Sequence, residues 1–405
     1  MKLWKIVVYS LVNAAILVFL SLLLQQQPYL YKDEELVIQF TKVLKKMTLK
    51  LEDKPPSERF LFVNTSFDNQ LIDKMDETGF FPMGNQVITD RSKLAQFFHL
   101  LARNPNHEYL ICDIFFKDVS PHDSLLADVI SQLPRTILPY HLNEANQRVL
   151  PIFKAKTGYA TIETLDDIFL KYDLTKYDSL KSVPLVMFEE LHDTSIKPGR
   201  FVSKMEDQYV LDYFILDFRI RNYDLVENQT YPLVNLGELL FLGEEAVNEL
   251  TKDRIIVIGD FLFNDSVETL TGEMAGPLVL LNAFLALEAH DNHLQLGFVV
   301  FLIISFFLVS VLVFHPSDII ERLINKLSKK KWTRRSFIGL SYFTILILIS
   351  ITAYFAFQKH INIFFLTFYL FGLDMGVQYI GRRKAKRQAQ SSVEPVSQTL
   401  SSRTQ

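Results

Sequence analysis

The sequence predicts an α/β domain with a mostly parallel sheet, attached to four transmembrane α-helices. Three observations predict it. Four apolar runs, at 6–24, 296–314, 337–357 and 361–380, are each close to the ~20 residues a helix needs to cross a hydrocarbon core. Between the first two runs, buried-strand patterns alternate with helix patterns, as in βαβ units. Charge is also segregated: residues 25–295 hold 26 basic and 42 acidic residues, whereas the short segments flanking the runs are basic.

Taken in order, residues 1–5 carry Lys2 and Lys5 and lead into the first run. That run is longer than the apolar core of a signal peptide, and QQQPYL follows it without a small-residue cleavage site, so 6–24 reads as an uncleaved anchor. Residues 25–295 form the large domain. Leu36, Phe40, Val43, Leu44 and Met47 have helical spacing over 31–51, a membrane-proximal helix stopped by Pro55-Pro56. RFLFVNTSFD predicts a strand ending near Asp68. Residues 91–102 predict a helix with Asp90 as N-cap. EYLICDIFF predicts a strand holding Asp113, 123–133 a helix, and 135–140 a third strand. Residues 143–253 are less regular; 209–218 either completes the sheet or forms a subsidiary layer, and 237–250 reads as a helix. Strand 255–258, the polar turn Gly259-Asp260, a glycine-containing loop and the apolar helix 277–289 then hand the chain to the span at 296. A basic loop at 315–336 separates the second and third spans, and the polar tail 381–405 is expected to be disordered.

The basic clusters orient the spans. Lys2 and Lys5, the loop from Arg322 to Arg335, and Arg382 to Arg387 all fall on one side if every run crosses. Positive segments stay in the cytoplasm, so both termini are expected inside and the large domain outside. The loop 326–335 also suits anionic lipid headgroups. The lone cysteine, Cys112, excludes an intrachain disulfide and sits in an apolar strand, where an inert buried thiol is expected.

Open α/β sheets bind ligands beyond the carboxyl ends of their strands. Asp68, Asp113 and Asp260 lie near three such ends, with Asp123 and Asp265 close in sequence. Together they suit a cation or a cationic ligand; separately, each simply shapes a turn, as Asp often does. VNTSFD is not a D-x-D-x-T nucleophile motif, and neither G-x-S-x-G nor H-E-x-x-H occurs. The nine histidines offer no ligand pair; His290 and His293 have the spacing but stand at the membrane edge. Residues 271–276, TGEMAG, are neither a P-loop nor G-x-G-x-x-G and read as an ordinary loop. No metal, cofactor or nucleic-acid partner is therefore expected. Within the fourth run, Asp374 lies inside Gly372-x-x-x-Gly376. An ionisable residue within a span marks function by default, and the small-residue pattern lets helices approach closely. Helix-packing glue, within the bundle or to a partner, is the preferred reading over a proton relay, with Arg382 or Arg383 close enough to pair with the carboxylate.

The strand FLFVNTSFD with Asp68, the helix RSKLAQFFHLL from Arg91, ICDIFF with Asp113 followed by SPHDSLLADVI, and IGDFLFNDSVET with Asp260, Asp265 and Thr269 leading to Asn282-Ala283 occur in that order. Combined with one span before and three after, they resemble the type-two CHASE family of bacterial extracytoplasmic sensor domains. The resemblance covers residues 1 to about 380 and implies that Asp68, Asp113, Asp260, Asp265 and Thr269 line a ligand site. It also implies a bacterial inner-membrane location with a periplasmic domain. The chain departs from the family at Thr269-Leu270, where Thr-Pro is usual, and at Leu280-Leu281, where His-Ala precedes Asn-Ala. A ligand held at those positions would differ here. Nothing after Arg387 reads as a cyclase or kinase. The expectation is thus a non-catalytic sensor or adaptor that signals through its bundle to a separate membrane or cytoplasmic output protein, touches membrane lipids, and is free to form homo-oligomers. A metal-dependent hydrolase using the strand-end aspartates and a structural subunit of an envelope complex are the alternatives.

Overall fold

The computed structural model describes residues 3–27, 41, 54–75, 81–162, 164, 168–169, 171–177, 179–199, 202–262, 265–269, 272–315 and 331–400. The expected helix at 31–51 and the core of the basic loop, 316–330, lie outside the described residues, apart from Thr41. The chain divides into two compact units, Met1–Lys45 with Gln295–Gln405, and Lys46–Leu294.

In the unit Lys46–Leu294, short apolar runs form the strands, and the three central ones are buried on both faces, as a parallel sheet requires. The sheet runs in the order Leu233–Asn235, Phe60–Asn64, Ile255–Gly259, Tyr109–Cys112, Thr136–Leu142, and then Lys156–Tyr159, all parallel. Arg148–Val149 returns antiparallel on the end of Thr136–Leu142. Side chains alternate along each strand, so the sheet divides its apolar residues between two layers. Phe60, Phe62, Tyr109, Ile111, Ile137, Ile255 and Val257 pack with helices Val183–His192 and Gly276–Glu288. Leu61, Val63, Leu110, Cys112, Leu138, Ile256 and Ile258 pack with helices Arg91–Arg103, Asp123–Ile130, Leu236–Phe241 and Glu244–Thr251. The result is a three-layer α/β/α unit, as the strand–helix alternation predicts.

Local chemistry sets the helix boundaries. The Asp90 carboxylate accepts from the backbone N–H of Ser92 (2.9 Å) and Lys93 (3.1 Å), the expected N-cap. Leu94, Phe97, Phe98 and Leu101 then fall on one buried stripe. The single helix expected over 237–250 is instead two, Leu236–Phe241 and Glu244–Thr251. Gly243 between them has φ +83°, a conformation that ends a helix and that glycine adopts without a Cβ penalty. Helix Asp123–Ile130 stops three residues short of the expectation. The 209–218 stretch does not join the main sheet. Gln208–Val210 pairs with Ser203–Met205, and Tyr213–Ile215 with Lys171–Asp173, in small separate sheets.

Helix Gly276–Glu288 is buried almost all round. It approaches the sheet so closely that a Cβ on Gly259 would overlap Pro277 Cγ. We expect Gly259→Ala to lower stability by roughly 2 kcal/mol or more, through overpacking against a rigid ring, as read by the thermal midpoint of the purified chain.

In the other unit, Leu3–Gln25, Leu296–Phe314, Gly339–Phe357 and Ile363–Lys384 are long and apolar enough to cross a membrane. The first two run antiparallel, with Tyr9 against Phe314 and Asn13 against Ser310, and so do the last two, with Gly339 against Phe371 and Phe343 against Phe364. Asn13 Nδ2 donates to Ser310 Oγ (2.8 Å), Tyr369 Oη donates to Asn13 Oδ1 (2.8 Å), and Phe298 and Phe301 meet Phe357. Asn13 thereby ties three helices together in a segment otherwise poor in polar partners. The last helix continues to Leu400, where the sequence leads one to expect a disordered tail.

Candidate functional site

The register of the three central strands makes their ends flush. Asn64 lies opposite Gly259, and Ile258 opposite Cys112. The backbone N–H of Thr65 donates to Gly259 O (2.9 Å), and that of Asp113 to Ile258 O (2.8 Å). The residues that follow, Thr65-Ser66, Asp260 and Asp113, therefore share one rim, the carboxyl edge where open α/β sheets bind ligands.

Asn64 organises that rim. It is fully buried and its Oδ1 accepts from Ser66 Oγ (2.6 Å) and from the backbone N–H of Phe261 (3.2 Å), while its Nδ2 donates to Asn235 Oδ1 (2.8 Å). Ser66 Oγ also bonds Asp260 Oδ1, which accepts in addition from the backbone N–H of Leu262 (3.0 Å). The Asp260 carboxylate is thus fixed by the Leu262 N–H and by the single Ser66 hydroxyl proton that it shares with Asn64 Oδ1. Asp265 arrives from the loop before the hairpin Ser266–Thr269/Gly272–Ala275. Its backbone O accepts from Gly276 N–H (2.8 Å), and its carboxyl lies against Gly276 so closely that a Cβ there would stand 2.5 Å from Oδ2.

Asp265 stands within electrostatic reach of both Asp113 and Asp260. Burial, reinforced by the Asp265 charge, holds the Asp113 carboxyl well above the usual carboxylate range. Burial and the Asp260 charge lift Asp265 to about 6. Asp265 as a residue keeps a solvent-exposed face, and its carboxyl end is the part packed over Gly276. Among the described residues no hydrogen-bond donor reaches the Asp113 carboxyl, and the residue is half-buried, so solvent offsets only part of its desolvation and repulsion. Chemically, the arrangement is an acidic, partly dehydrated rim. No group of three His, Cys, Asp or Glu among the described residues has a metal-holding arrangement.

Three of the expected site residues are committed elsewhere. Asp68 is buried and its carboxylate accepts from Lys93 Nζ (2.5 Å) and from the backbone N–H of Gly237 (3.0 Å) at the start of helix Leu236–Phe241. It ties two helices of one layer together, and a Cβ on Gly237 would meet its Oδ1 at 2.8 Å. Thr269 Oγ1 donates to Gly272 O (2.6 Å) and closes the hairpin. Asp123 pairs with Arg91 and caps its own helix region by accepting from Ser120 N–H (2.6 Å).

Asn282 has a definite structural role that its place in a sequence motif did not reveal. Fully buried, it accepts from Arg219 N–H (2.8 Å) and Ile220 N–H (3.0 Å) and donates to Ile220 O (2.7 Å) and Leu278 O (2.8 Å). Its amide pins the 219–220 segment to helix Gly276–Glu288, and Arg219 adds an ion pair to Asp291 (2.7 Å). The amide supplies the two donors and the doubly accepting oxygen that these four bonds use, which a single hydroxyl cannot.

In the helical unit, Asp374 is buried and accepts from Gln378 Nε2 (3.0 Å), one turn on, whereas Arg383 lies over the Tyr379 ring (5.0 Å to its centroid). The anticipated Asp374–Arg pairing is replaced by this local amide contact, since Arg383 finds an aromatic face nearer its own turn. Gly372 and Gly376 have open space where a Cβ would stand, so they are not the close-packing surface of this four-helix set.

No family model, curated protein or solved structure matches the chain.

Proposed function

We propose that this chain is a non-catalytic membrane sensor or adaptor, with the α/β unit outside the membrane, both termini in the cytoplasm, and a separate partner protein as its output. The observation that carries the reading is the strand-end group Asp113, Asp260 and Asp265, in which Asp113 has no compensating donor among the described residues. A site that holds like charges together is built to be relieved by a cationic ligand. Asp265 rests on Gly276, the first residue of the helix that leads, through 289–295, into the span at Leu296. Ligand at the rim therefore acts on the segment that continues into the membrane. Differential binding to two arrangements of that segment is the physical requirement for a signal.

The flanking basic residues support the orientation, by the positive-inside rule. The resemblance to type-two CHASE sensors points to a bacterial inner membrane and a periplasmic location. The open faces of Gly372 and Gly376 suit a further helix, either a partner's or that of a second copy.

The test is co-purification of the full chain from native membranes. Gly376→Leu and Asp374→Leu are expected to change the set of recovered proteins severalfold, whereas deletion of 388–405 leaves it intact. An unchanged set in both substitutions would sink the adaptor reading. Metal-dependent turnover that disappears in Asp113→Asn would favour the hydrolase alternative instead.

A further inference from the structure

The helical unit carries two exposed aromatic–cation pairs at one end. Lys5 Nζ lies 5.6 Å from the centroid of the Trp4 ring, and the Arg383 guanidinium 5.0 Å from that of Tyr379. All four residues are exposed. The two pairs also stand at one level. Helices Leu3–Gln25 and Ile363–Leu400 run antiparallel, since Tyr369 Oη bonds Asn13 Oδ1 and Gln25 Nε2 donates to His360 O, just ahead of the second helix. Asn13 and Tyr369 each fall within two residues of the middle of their apolar runs, 6–24 and 361–380. From that bond, Trp4 is nine residues back along one helix and Tyr379 ten residues on along the other. At the rise of an α-helix these are about 14 and about 15 Å, half of a hydrocarbon core ~30 Å thick. Both rings therefore reach the headgroup level together, where amphipathic aromatics concentrate.

Depth and charge together say what meets this end. At the headgroup level of a span the neighbours are lipids. Arg382 and Lys384 are exposed beside Arg383, and no acidic residue occurs in 3–25 or 375–384. Four exposed cations without a local counter-charge favour a net negative headgroup over a zwitterionic one. A guanidinium stacked on a ring keeps its N–H donors in its own plane, open to a phosphate. We propose that this end of the helical unit binds anionic phospholipid headgroups, with Arg383 and Lys5 held beside Tyr379 and Trp4 to meet the phosphates, and Arg382 and Lys384 adding charge. The inference rests on the four helices spanning a membrane and not on the sensor reading.

The full chain, reconstituted in bilayers of equal phosphatidylglycerol and phosphatidylcholine and then extracted in mild detergent, tests this by mass spectrometry of the lipids it retains. A basic residue near a lipid surface contributes a factor of about five. The parent chain is therefore expected to retain phosphatidylglycerol over phosphatidylcholine at least about tenfold. The combination Lys5→Gln, Arg382→Gln and Arg383→Gln, which keeps helix propensity, should bring the ratio close to parity. If that variant does not reconstitute, salt of about 1 M on the parent chain should do the same, because the Debye length falls from about 8 Å to about 3 Å. Equal retention of the two lipids by the parent chain would overturn the proposal. So would a preference that neither the variant nor high salt reduces. A parent chain that does not enter bilayers at all would instead refute the spanning reading, and the proposal with it.

Discussion

Asp113→Asn is expected to stabilise the α/β unit at neutral pH, by on the order of 1–2 kcal/mol, or a few degrees in thermal midpoint. Most substitutions at a strand end cost stability. This one removes a carboxylate that is pushed well above its usual range by burial and by Asp265, and that no donor among the described residues compensates. Asparagine fills the same volume without the charge. The pH dependence fixes the sign. A carboxyl whose folded pKa exceeds its unfolded value of about 3.9 binds more protons in the native state between the two values, so its contribution to stability is present at low pH and lost as pH rises through the folded pKa. For Asp265 that loss runs between about 4 and about 6. The gain from Asp113→Asn should therefore be present at neutral pH and shrink toward zero near pH 4.

Two histidines, His107 buried and His141 half-buried, act in the opposite sense. Both are held below the usual imidazole value, chiefly by burial. Each favours the native state while neutral, and each weakens it as pH falls below about 6.5, where the unfolded chain takes up the proton. In the native sequence the two effects oppose each other between pH 7 and 5. In Asp113→Asn part of the acid-side gain is gone, so the variant should lose stability on mild acidification faster than the parent. Thermal melts of both proteins at a series of pH values measure the difference directly. A variant that melts lower than the parent at pH 8 would show that the carboxylate is compensated after all.

How much of this was legible beforehand depends on what each residue's signal is made of. The strands Phe60–Asn64, Tyr109–Cys112 and Ile255–Gly259 announce themselves, because a strand buried on both faces must be a continuous apolar run. The Asp90 cap is likewise local, since the carboxylate, its two N–H partners and the apolar stripe all lie within a few positions. Convergence of Asp113, Asp260 and Asp265 followed from the rule that strand ends meet at one rim. The removal of Asp68 from that group did not, because it depends on Lys93 and Gly237, distant in sequence and brought in by helix packing. The Gly243 break was missed for a different reason. A lone glycine in a helical pattern costs only about 1 kcal/mol, too little to decide between one helix and two without the tertiary contacts on either side. No expectation covered the ribbon of Asn69–Met75 and Pro82–Thr89 either, and only the fold turns its Leu71 and Val87 outward.

Arg91 was the least legible residue of consequence, and its removal is expected to be the most damaging single change in the unit. An arginine at the first turn of a helix reads as a solvated charge, because Arg is almost never fully buried unless paired. Here it is 2% exposed. Its Nη1 donates to Asp123 Oδ1 (2.8 Å), its Nη2 to Asp118 O (3.0 Å), and its guanidinium lies 4.7 Å over the Phe116 ring and 5.6 Å over that of Phe153. One side chain thus joins helix Arg91–Arg103, the loop 116–120 and helix Asp123–Ile130. Burial lowers its pKa from the ordinary guanidinium value, yet the group stays charged at any physiological pH. Breaking a buried pair from one side leaves the other charge uncompensated, so Arg91→Met should cost about 3–5 kcal/mol. Arg91→Lys should recover only part of that, because an ammonium cannot span the forked contact to Asp123 and Asp118 while stacking on Phe116. The decisive comparison is Arg91→Met against Arg91→Met with Asp123→Asn. If the cost lies in the stranded carboxylate, the second substitution restores a large share of the lost stability, since the new amide oxygen can still accept from Ser120 N–H. If it lies in the packing of the three elements, the double variant melts no higher than the single one, and the pairing account of Arg91 fails.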